Sequence, residues 1–371
     1  MPVETKGAPS GRIVSIDALR GFDMFWITGG AAFFLSLFRL IDTPFFDSLS
    51  QQLNHPSWHG FTFWDLIFPL FLFIVGASMP FSISKRLERG APPKKLYIHI
   101  VQRTLTLFIL GLIFNGLLGF DFSNFRYAGV LQRIALCYFF AALIVMNTQI
   151  RGQAIFAGLI LLLYWAAMTL IPVPGHGAGV LTPEGNLSFY IDRLWLPGKF
   201  VVYRTLGDNE GILSTLPAIS TTLLGVLSGH WLRSSYTYNK KVLGLLAAGV
   251  VSLLLGLLWN VVFPINKIIW TSSYVLFAGG WSMLLLCLFY WIIDVMGYAK
   301  WAFPFVVIGL NPITIYVAQS LFDFGIIARI FVHGFIDSFG DFRPVFWAFC
   351  VLAVKWLFLY FLYKKKIFLK A

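Results

Sequence analysis

The sequence predicts an all-α fold, a bundle of transmembrane helices, and three observations carry that prediction. Hydrophobic residues make up 58% of the 371 and charged residues only 12%, whereas a soluble domain keeps its surface in water with about 25% charged residues. Mean hydropathy is +0.79. Apolar runs of ~20 residues recur from Ile16 to the C-terminus, each long enough to cross a ~30 Å hydrocarbon core. The length would permit two soluble domains, but no stretch has the polarity of one. The chain reads as one transmembrane domain over 1–371.

In chain order, hydropathy and helix breakers place about ten spans, near 16–38, 62–83, 97–117, 127–147, 153–172, 212–232, 242–262, 270–296, 303–323 and 345–363. The first opens on Ser15-Ile-Asp-Ala-Leu-Arg-Gly-Phe-Asp23, where Ser15 suits an N-cap and Asp17 the positive end of the helix dipole. It is too long for a secretory signal and lacks a small-residue cleavage pattern. The second begins at Thr62, which with Asp65 matches a capping box. The fourth opens on Gly129-Val-Leu-Gln-Arg133, and the sixth follows Asp208-Asn-Glu-Gly211. Asn311-Pro312 interrupts the ninth, because proline removes a backbone hydrogen bond. Gly325–Phe335 is too short to span and reads as re-entrant or interfacial. No internal repeat is visible, so the paired-repeat signature of many transporters is missing from the sequence.

Basic residues set the orientation. Lys85, Arg86, Arg89, Lys94 and Lys95 follow span two; Arg233, Lys240 and Lys241 follow span six; Lys364, Lys365, Lys366 and Lys370 follow span ten. The connections 39–61, 118–126 and 263–269 hold only Arg39, Arg126 and Lys267. The positive-inside rule then puts both termini in the cytoplasm. Anionic lipid head groups account for the net charge of +12 without a nucleic-acid partner. Two outward segments are longer than a turn: 39–61, and 173–211 with Trp195, Arg204, Asp208, Asn209 and Glu210. Long polar connections on one face of a scaffold are where sites are often built.

Ionisable groups at membrane depth are costly and face a cavity or a partner. Asp17 and Arg20 are spaced to meet on one helical face, while Arg20 and Asp23 lie too deep for capping to explain them. In Asn54-His-Pro-Ser-Trp-His-Gly-Phe-Thr-Phe-Trp-Asp65, Pro56 biases His55 towards extended backbone. Two histidines beside tryptophans at a membrane boundary suit substrate binding or proton transfer; an interfacial loop histidine is the structural alternative, and His59 fits it better. Gln132 and Arg133, one turn inside span four, are placed to pair with Asp65 or Asp23 or to contact substrate. Cys137, Cys287 and Cys350 are scattered in apolar runs, and His99, His176, His230 and His333 are isolated. No metal site is expected from that spacing, nor ATP chemistry without a phosphate-binding loop.

At these clusters the chain resembles the heparan-alpha-glucosaminide N-acetyltransferase family of transmembrane acyltransferases. The resemblance runs through nearly the whole chain, in Ser15-Ile-Asp-Ala-Leu-Arg-Gly21, His55-Pro-Ser-Trp-His-Gly60, Asp65-Leu-Ile-Phe-Pro69, Gly129-Val-Leu-Gln-Arg133, Glu210-Gly-Ile-Leu213, Pro264-Ile-Asn-Lys267 and Gly309-Leu-Asn311. Each motif is weak alone; their order and spacing together are specific. The resemblance implies acetyl transfer from acetyl-CoA to the amine of a terminal glucosamine, with the histidine at His55 essential. The family's lysosomal members carry a luminal region ahead of this part, and where they place Asn in span one this chain has Thr28. The reaction class should survive both differences, the acceptor less so; a bacterial inner-membrane relative is the expected type.

His55 is therefore the expected catalytic residue, as general base or acyl carrier, with Asp65 orienting it. Asp23, Trp58, Gln132, Arg133, Glu210, Asn266, Lys267 and Asn311 are the expected substrate-binding residues. Arg20, Arg86 and Arg103 are expected near the nucleotide end of cytosolic acetyl-CoA. A lipid bilayer and an amino-sugar acceptor are the expected partners, and a homo-oligomer stays open. Two alternatives stand beside this reading: a transporter of amino sugars or small solutes, and an O-acetyltransferase acting on an envelope polysaccharide.

Overall fold

The computed structural model describes residues 13–41, 43–200, 203 and 205–368; Arg204 and Lys370 lie outside them. The helices are α1 (Val14–Phe25), α2 (Ala31–Leu40), α3 (Pro44–Gln52), α4 (Phe63–Met79) and α5 (Lys85–Glu88). Next come α6 (Pro93–Phe114), α7 (Val130–Asn147), α8 (Ile150–Leu170), α9 (Leu187–Trp195), α10 (Thr215–Arg233) and α11 (Tyr238–Asn260). The chain ends with α12 (Ser272–Tyr290), α13 (Phe303–Leu310), α14 (Pro312–Leu321), α15 (Phe324–Val332) and α16 (Arg343–Lys364). No β-strand forms among the described residues. Among the described residues eight helices are long and apolar enough to cross a membrane, or nine when the bent pair Lys300–Leu310 and Pro312–Leu321 counts as one.

The remaining expected span, 212–232, is α10. Its 19 residues are long enough, but it buries Thr215, Ser220, Thr221, Thr222 and Ser228. A helix surrounded by protein needs no apolar coat, so hydroxyl residues that make insertion less favourable are tolerated there. By contrast α11 exposes Leu243, Leu246, Val250, Leu254, Leu257 and Leu258, the surface of a helix against lipid.

Two compact units divide the chain. The first holds Met1–Pro56, Thr62–Ile67 and Leu288–Ala371, the second Ser57–Phe61 and Phe68–Cys287. In the first, α1 and α13 cross at two glycines. A Cβ on Gly21 would stand 1.7 Å from the Phe305 carbonyl oxygen, and one on Gly309 2.0 Å from that of Asp17. Only hydrogen at both positions allows backbones this close. Ser15 does not cap α1; the N-cap is Ile13, and the Asp294 carboxylate accepts from the Ser15 N–H at 3.2 Å. A remote acid thus does what the local serine was expected to do.

Span one is also broken. A π turn, Trp26–Gly30, separates α1 from α2, with Gly29 at φ 143°. The Lys355 ammonium of α16 donates to the Thr28 carbonyl at 2.8 Å and to Gln319 Oε1 at 3.3 Å. A cation inside an apolar helix is therefore accounted for by a carbonyl at the break. The second break, 61° between α13 and α14, falls where Asn311-Pro312 predicts it.

In the second unit α10 packs against α7 and α8, and hydroxyls tie the helices together. Ser220 Oγ donates to the Ala157 carbonyl at 3.0 Å, Ser272 Oγ to Leu161 at 2.8 Å and Ser252 Oγ to Leu276 at 2.7 Å. Near α9, Tyr164, Met168, Val173, Leu187, Phe189, Phe263 and Ile269 form a buried apolar cluster.

Candidate functional site

In the first unit, α3 ends at Gln52 and α4 begins at Phe63. Side chains staple this connection: Thr62 Oγ1 donates to the Asn54 carbonyl at 2.7 Å, and the Phe63 N–H donates to Gln52 Oε1 at 3.1 Å. His55 Nδ1 stands 2.6 Å from Asp65 Oδ1. Asp65 Oδ2 accepts from the Thr62 N–H at 3.0 Å, the reach back to the N-cap that the capping pattern predicts. One carboxylate thus closes the helix start with one oxygen and holds the imidazole with the other. Asp65 is 1% exposed and the His55 side chain 49%, so a buried acceptor orients a ring that solutes can reach. A carboxylate only accepts, which puts the proton on Nδ1 and makes Nε2 the basic nitrogen.

Three other expected residues lie in this unit. Asp23 is fully buried in α1, and neither carboxylate oxygen has a hydrogen-bond partner among the described residues. Arg20 Nη1 donates to Asp17 Oδ1 at 3.0 Å and to the Gly309 carbonyl at 3.4 Å, which realises the predicted Asp17–Arg20 pair and ties it to the α1–α13 crossing. Asn311 is buried and donates from Nδ2 to the Ile367 carbonyl at 3.0 Å.

In the second unit Ser57–Phe61 is fixed from three sides. Trp58 Nε1 donates to the Leu181 carbonyl at 2.8 Å, the Tyr203 hydroxyl to that of Ser57 at 3.1 Å, and the Gly60 N–H to that of Ile265 at 2.9 Å. The Trp58 ring meets those of Tyr203 and Phe189 edge-on, with centroids 5.3 and 5.8 Å away. Asn266 Oδ1 accepts from the Ile268 and Ile269 N–H groups at 2.8 and 3.1 Å, and its Nδ2 donates to His59 Nδ1 at 3.3 Å. His59 therefore carries its proton on Nε2, the opposite tautomer to His55, and burial holds its pKa below the usual value.

Around the start of α7 lies a buried polar cluster that sequence reasoning only partly named. Arg126 grips Asp208 with two bonds, Nε to Oδ2 at 2.8 Å and Nη2 to Oδ1 at 2.6 Å, and pairs with Glu210 as well. Burial works against the Arg126 charge, but its two carboxylates outweigh this and raise its pKa. Burial raises the pKa of Glu210, opposed by Arg126 and, more weakly, by Arg133 and Lys267. Asp192 of α9 accepts from the Asp208 N–H at 3.2 Å and the Ile212 N–H at 2.9 Å; burial lifts its pKa to about 6. Besides Arg126, the Asp208 carboxylate accepts from the Glu210 N–H at 2.9 Å, ahead of α10, and does not cap that helix. Arg133 does not reach a carboxylate by hydrogen bond either. Its Nη2 donates to Ser214 Oγ and to the Gly211 carbonyl at 3.3 Å, and its guanidinium lies 4.9 Å above the Trp270 ring.

Arg133 Nε and Nη1, and both amide atoms of Gln132, are buried without a hydrogen-bond partner among the described residues. Buried polar atoms left over in this way are the ones a ligand or water can satisfy. Arg103 of α6 stacks 4.4 Å over Tyr138 with its Nε likewise unmatched, and Arg86 is exposed on α5. No group of three His, Cys, Asp or Glu side chains suited to a metal gathers among the described residues. Asp192 was missed because a single acid in a short amphipathic helix carries no signal. Arg126 could have been found as the one basic residue of connection 118–126.

A family model described as "Heparan-alpha-glucosaminide N-acetyltransferase, catalytic" matches residues 12–257. Two proteins named heparan-alpha-glucosaminide N-acetyltransferase are similar in sequence. That of Mus musculus is 30% identical over 375 residues, covering 86% of this chain and 55% of its own. That of Homo sapiens is 30% identical over 367 residues, covering 84% and 53%. The chain spans about half the length of these relatives. His55, Asp65, Gln132, Arg133 and Glu210 fall inside the matched region.

Proposed function

Because this chain belongs to the heparan-alpha-glucosaminide N-acetyltransferase catalytic family, we propose that it is a membrane-embedded acetyltransferase that moves the acetyl group of acetyl-CoA to the amine of a glucosamine-type sugar. The observation that carries the catalytic part is the 2.6 Å contact between His55 Nδ1 and Asp65 Oδ1. An amine attacks a thioester only when neutral. His55 Nε2 takes its proton as the C–N bond forms, the carbonyl reforms and the C–S bond breaks, and the thiolate leaves and is protonated. Asp65 holds the ring and stabilises the imidazolium as it forms. General base catalysis of this kind contributes about 10²–10⁴-fold. The other route, acetylation of His55 followed by transfer, uses the same nitrogen.

Acetyl-CoA would supply the activated acetyl group. The unmatched Arg103 Nε suits an oxygen of such a donor, and Arg20 and Arg86 are further candidates for its anionic end. Trp58, Asn266 and Lys267 are candidates for the acceptor, as are Gln132, Arg133 and Glu210; Asp23 and Asn311 complete the set. With basic residues concentrated after spans two, six and ten, both termini lie in the cytoplasm, His55 faces outward and CoA stays inside. The bulk of the chain would sit in a bacterial inner membrane.

Purified protein given labelled acetyl-CoA and glucosamine tests this. Transfer that vanishes in His55→Ala supports the assignment. Absence of acetyl-CoA binding in the wild type would instead favour a solute transporter, whose ligands commonly bind at helix breaks such as those at Trp26–Gly30 and Asn311-Pro312.

A further inference from the structure

Outside the residues assigned to catalysis, the first unit contains a cavity of about 480 Å³ lined by Arg329, His333, Ile336, Arg343, Pro344 and Trp347, a volume usual for a small-molecule site. It forms where α15 turns back, through the short helical stretch Ile336–Phe342, onto the first turn of α16. α15 is amphipathic. Phe324, Ala328 and Val332 are buried at four-residue spacing, while Ile330 and Phe331 are 75% and 71% exposed. At nine residues it is too short to cross a bilayer, and its exposed apolar side chains need acyl chains or protein to cover them. Phe335, Phe339 and Phe342 continue the exposed apolar rim. The apolar span α16 starts at this cavity, so the cavity belongs to the depth where lipid head groups meet acyl chains.

Inside the rim the lining is cationic. The Arg329 guanidinium stands 5.9 Å from the Trp347 ring centroid, and Arg343 pairs with Asp337 at 2.8 Å. Arg343 is matched by Asp337, whereas Arg329, also in the lining, has no ion-pair partner among the described residues, which leaves one cation unmatched at the cavity. Asp323 does not enter this balance, being bound to the Gly325 N–H at 2.8 Å as the cap of α15. We propose that this cavity seats the phosphodiester headgroup of a bilayer phospholipid. Arg329 and Arg343 donate to the phosphate oxygens, whose single negative charge matches the surplus. Trp347 flanks the head, and the acyl chains run along Ile330, Phe331 and Phe335. A soluble phosphate would match the charge but leave the apolar rim without an occupant.

The test uses the full chain in detergent, loaded with phosphatidylglycerol and examined by native mass spectrometry. Wild type is expected to retain the lipid, and the double variant Arg329→Gln, Arg343→Gln to retain at least about tenfold less, since losing even one of the two charge-assisted contacts is worth that much. Both side chains are exposed, so the fold should persist, and Asp341→Asn serves as the matched surface control. Independently of any variant, phosphatidylglycerol carrying a photoreactive acyl chain is expected to crosslink wild type within 324–347. Equal retention in the double variant, crosslinks confined to other segments, or equal retention of dioleoylglycerol would overturn the proposal. Displacement by glycerol 3-phosphate at the lipid's own concentration would also overturn it, since the ligand would then be a soluble phosphate.

Discussion

In the proposed mechanism His55 acts as a base only while Asp65 keeps the proton on Nδ1. Asp65→Asn substitutes an amide that can present its N–H to the ring and reverse the tautomer. Initial rates of acetyl transfer in Asp65→Asn are expected to fall about 10²-fold or more, with acetyl-CoA binding little changed. A second residue-scale prediction concerns Asp192. Its folded pKa of about 6 lies above the ordinary value of about 3.9 for an unfolded aspartate. The folded state therefore binds the extra proton between those values. Stability from this group is fully present below about pH 4 and is lost as pH rises through about 6. Asn cannot titrate, so the thermal stability of wild type relative to Asp192→Asn should decline across that window, by on the order of 3 kcal/mol. A difference that stays flat with pH would show that Asp192 does not hold a proton there. Which residues the sequence exposed follows from how local their partners are. The Thr62–Asp65 pattern was legible because a capping box closes within one turn. Arg126 and Asp208 are 82 positions apart, and nothing in either neighbourhood announces the other.

At the scale of elements, the crossing of α1 and α13 depends on two hydrogens. Gly309→Leu would force a side chain into the Asp17 carbonyl and separate the helices. Gly334→Ala, which meets nothing within 4 Å, is the contrasting change. Size-exclusion profiles in detergent should show Gly309→Leu aggregated or absent and Gly334→Ala unchanged. The break in span one was not legible, since a π turn at Trp26–Gly30 costs little in hydropathy and its stabilising partner, Lys355, arrives 327 positions later. The break at Asn311-Pro312 was legible, because proline carries its constraint in its own ring. Span six shows the same contrast in reverse. Its Ser and Thr content reads as weakly apolar, yet its buried position lets Ser220 donate across to the Ala157 carbonyl, while Thr222 and Ser228 donate back to their own helix.

At the scale of the whole molecule, charge distribution predicts sidedness. A cysteine at Arg89 (Arg89→Cys) should react with an impermeant maleimide only from the cytoplasmic side, and one at Ser123 (Ser123→Cys) only from outside. The reverse labelling pattern in intact cells and inverted vesicles would turn the proposed topology over, and with it the outward placement of His55. The chain divides into two units that composition does not announce, because the chain passes between them within one polar connection, at Pro56–Ser57 and Phe61–Thr62, and inside apolar helices, at Ile67–Phe68 and Cys287–Leu288, with no shift in hydropathy.

The sequence by itself determined that this is a helical membrane protein, roughly where its spans lie, and that His55 and Asp65 were worth pairing. Insertion into a bilayer is decided span by span, by the apolar length of each segment, and a capped helix start is decided within one turn. The tertiary structure alone decided that Asp192 anchors the Asp208–Ile212 turn, that Arg126 holds two carboxylates, that Lys355 satisfies a broken helix, and that Arg133 and Gln132 keep buried polar atoms unmatched. Those outcomes depend on which helix faces come together, and a side chain's partner across many turns of sequence exists only once they have packed.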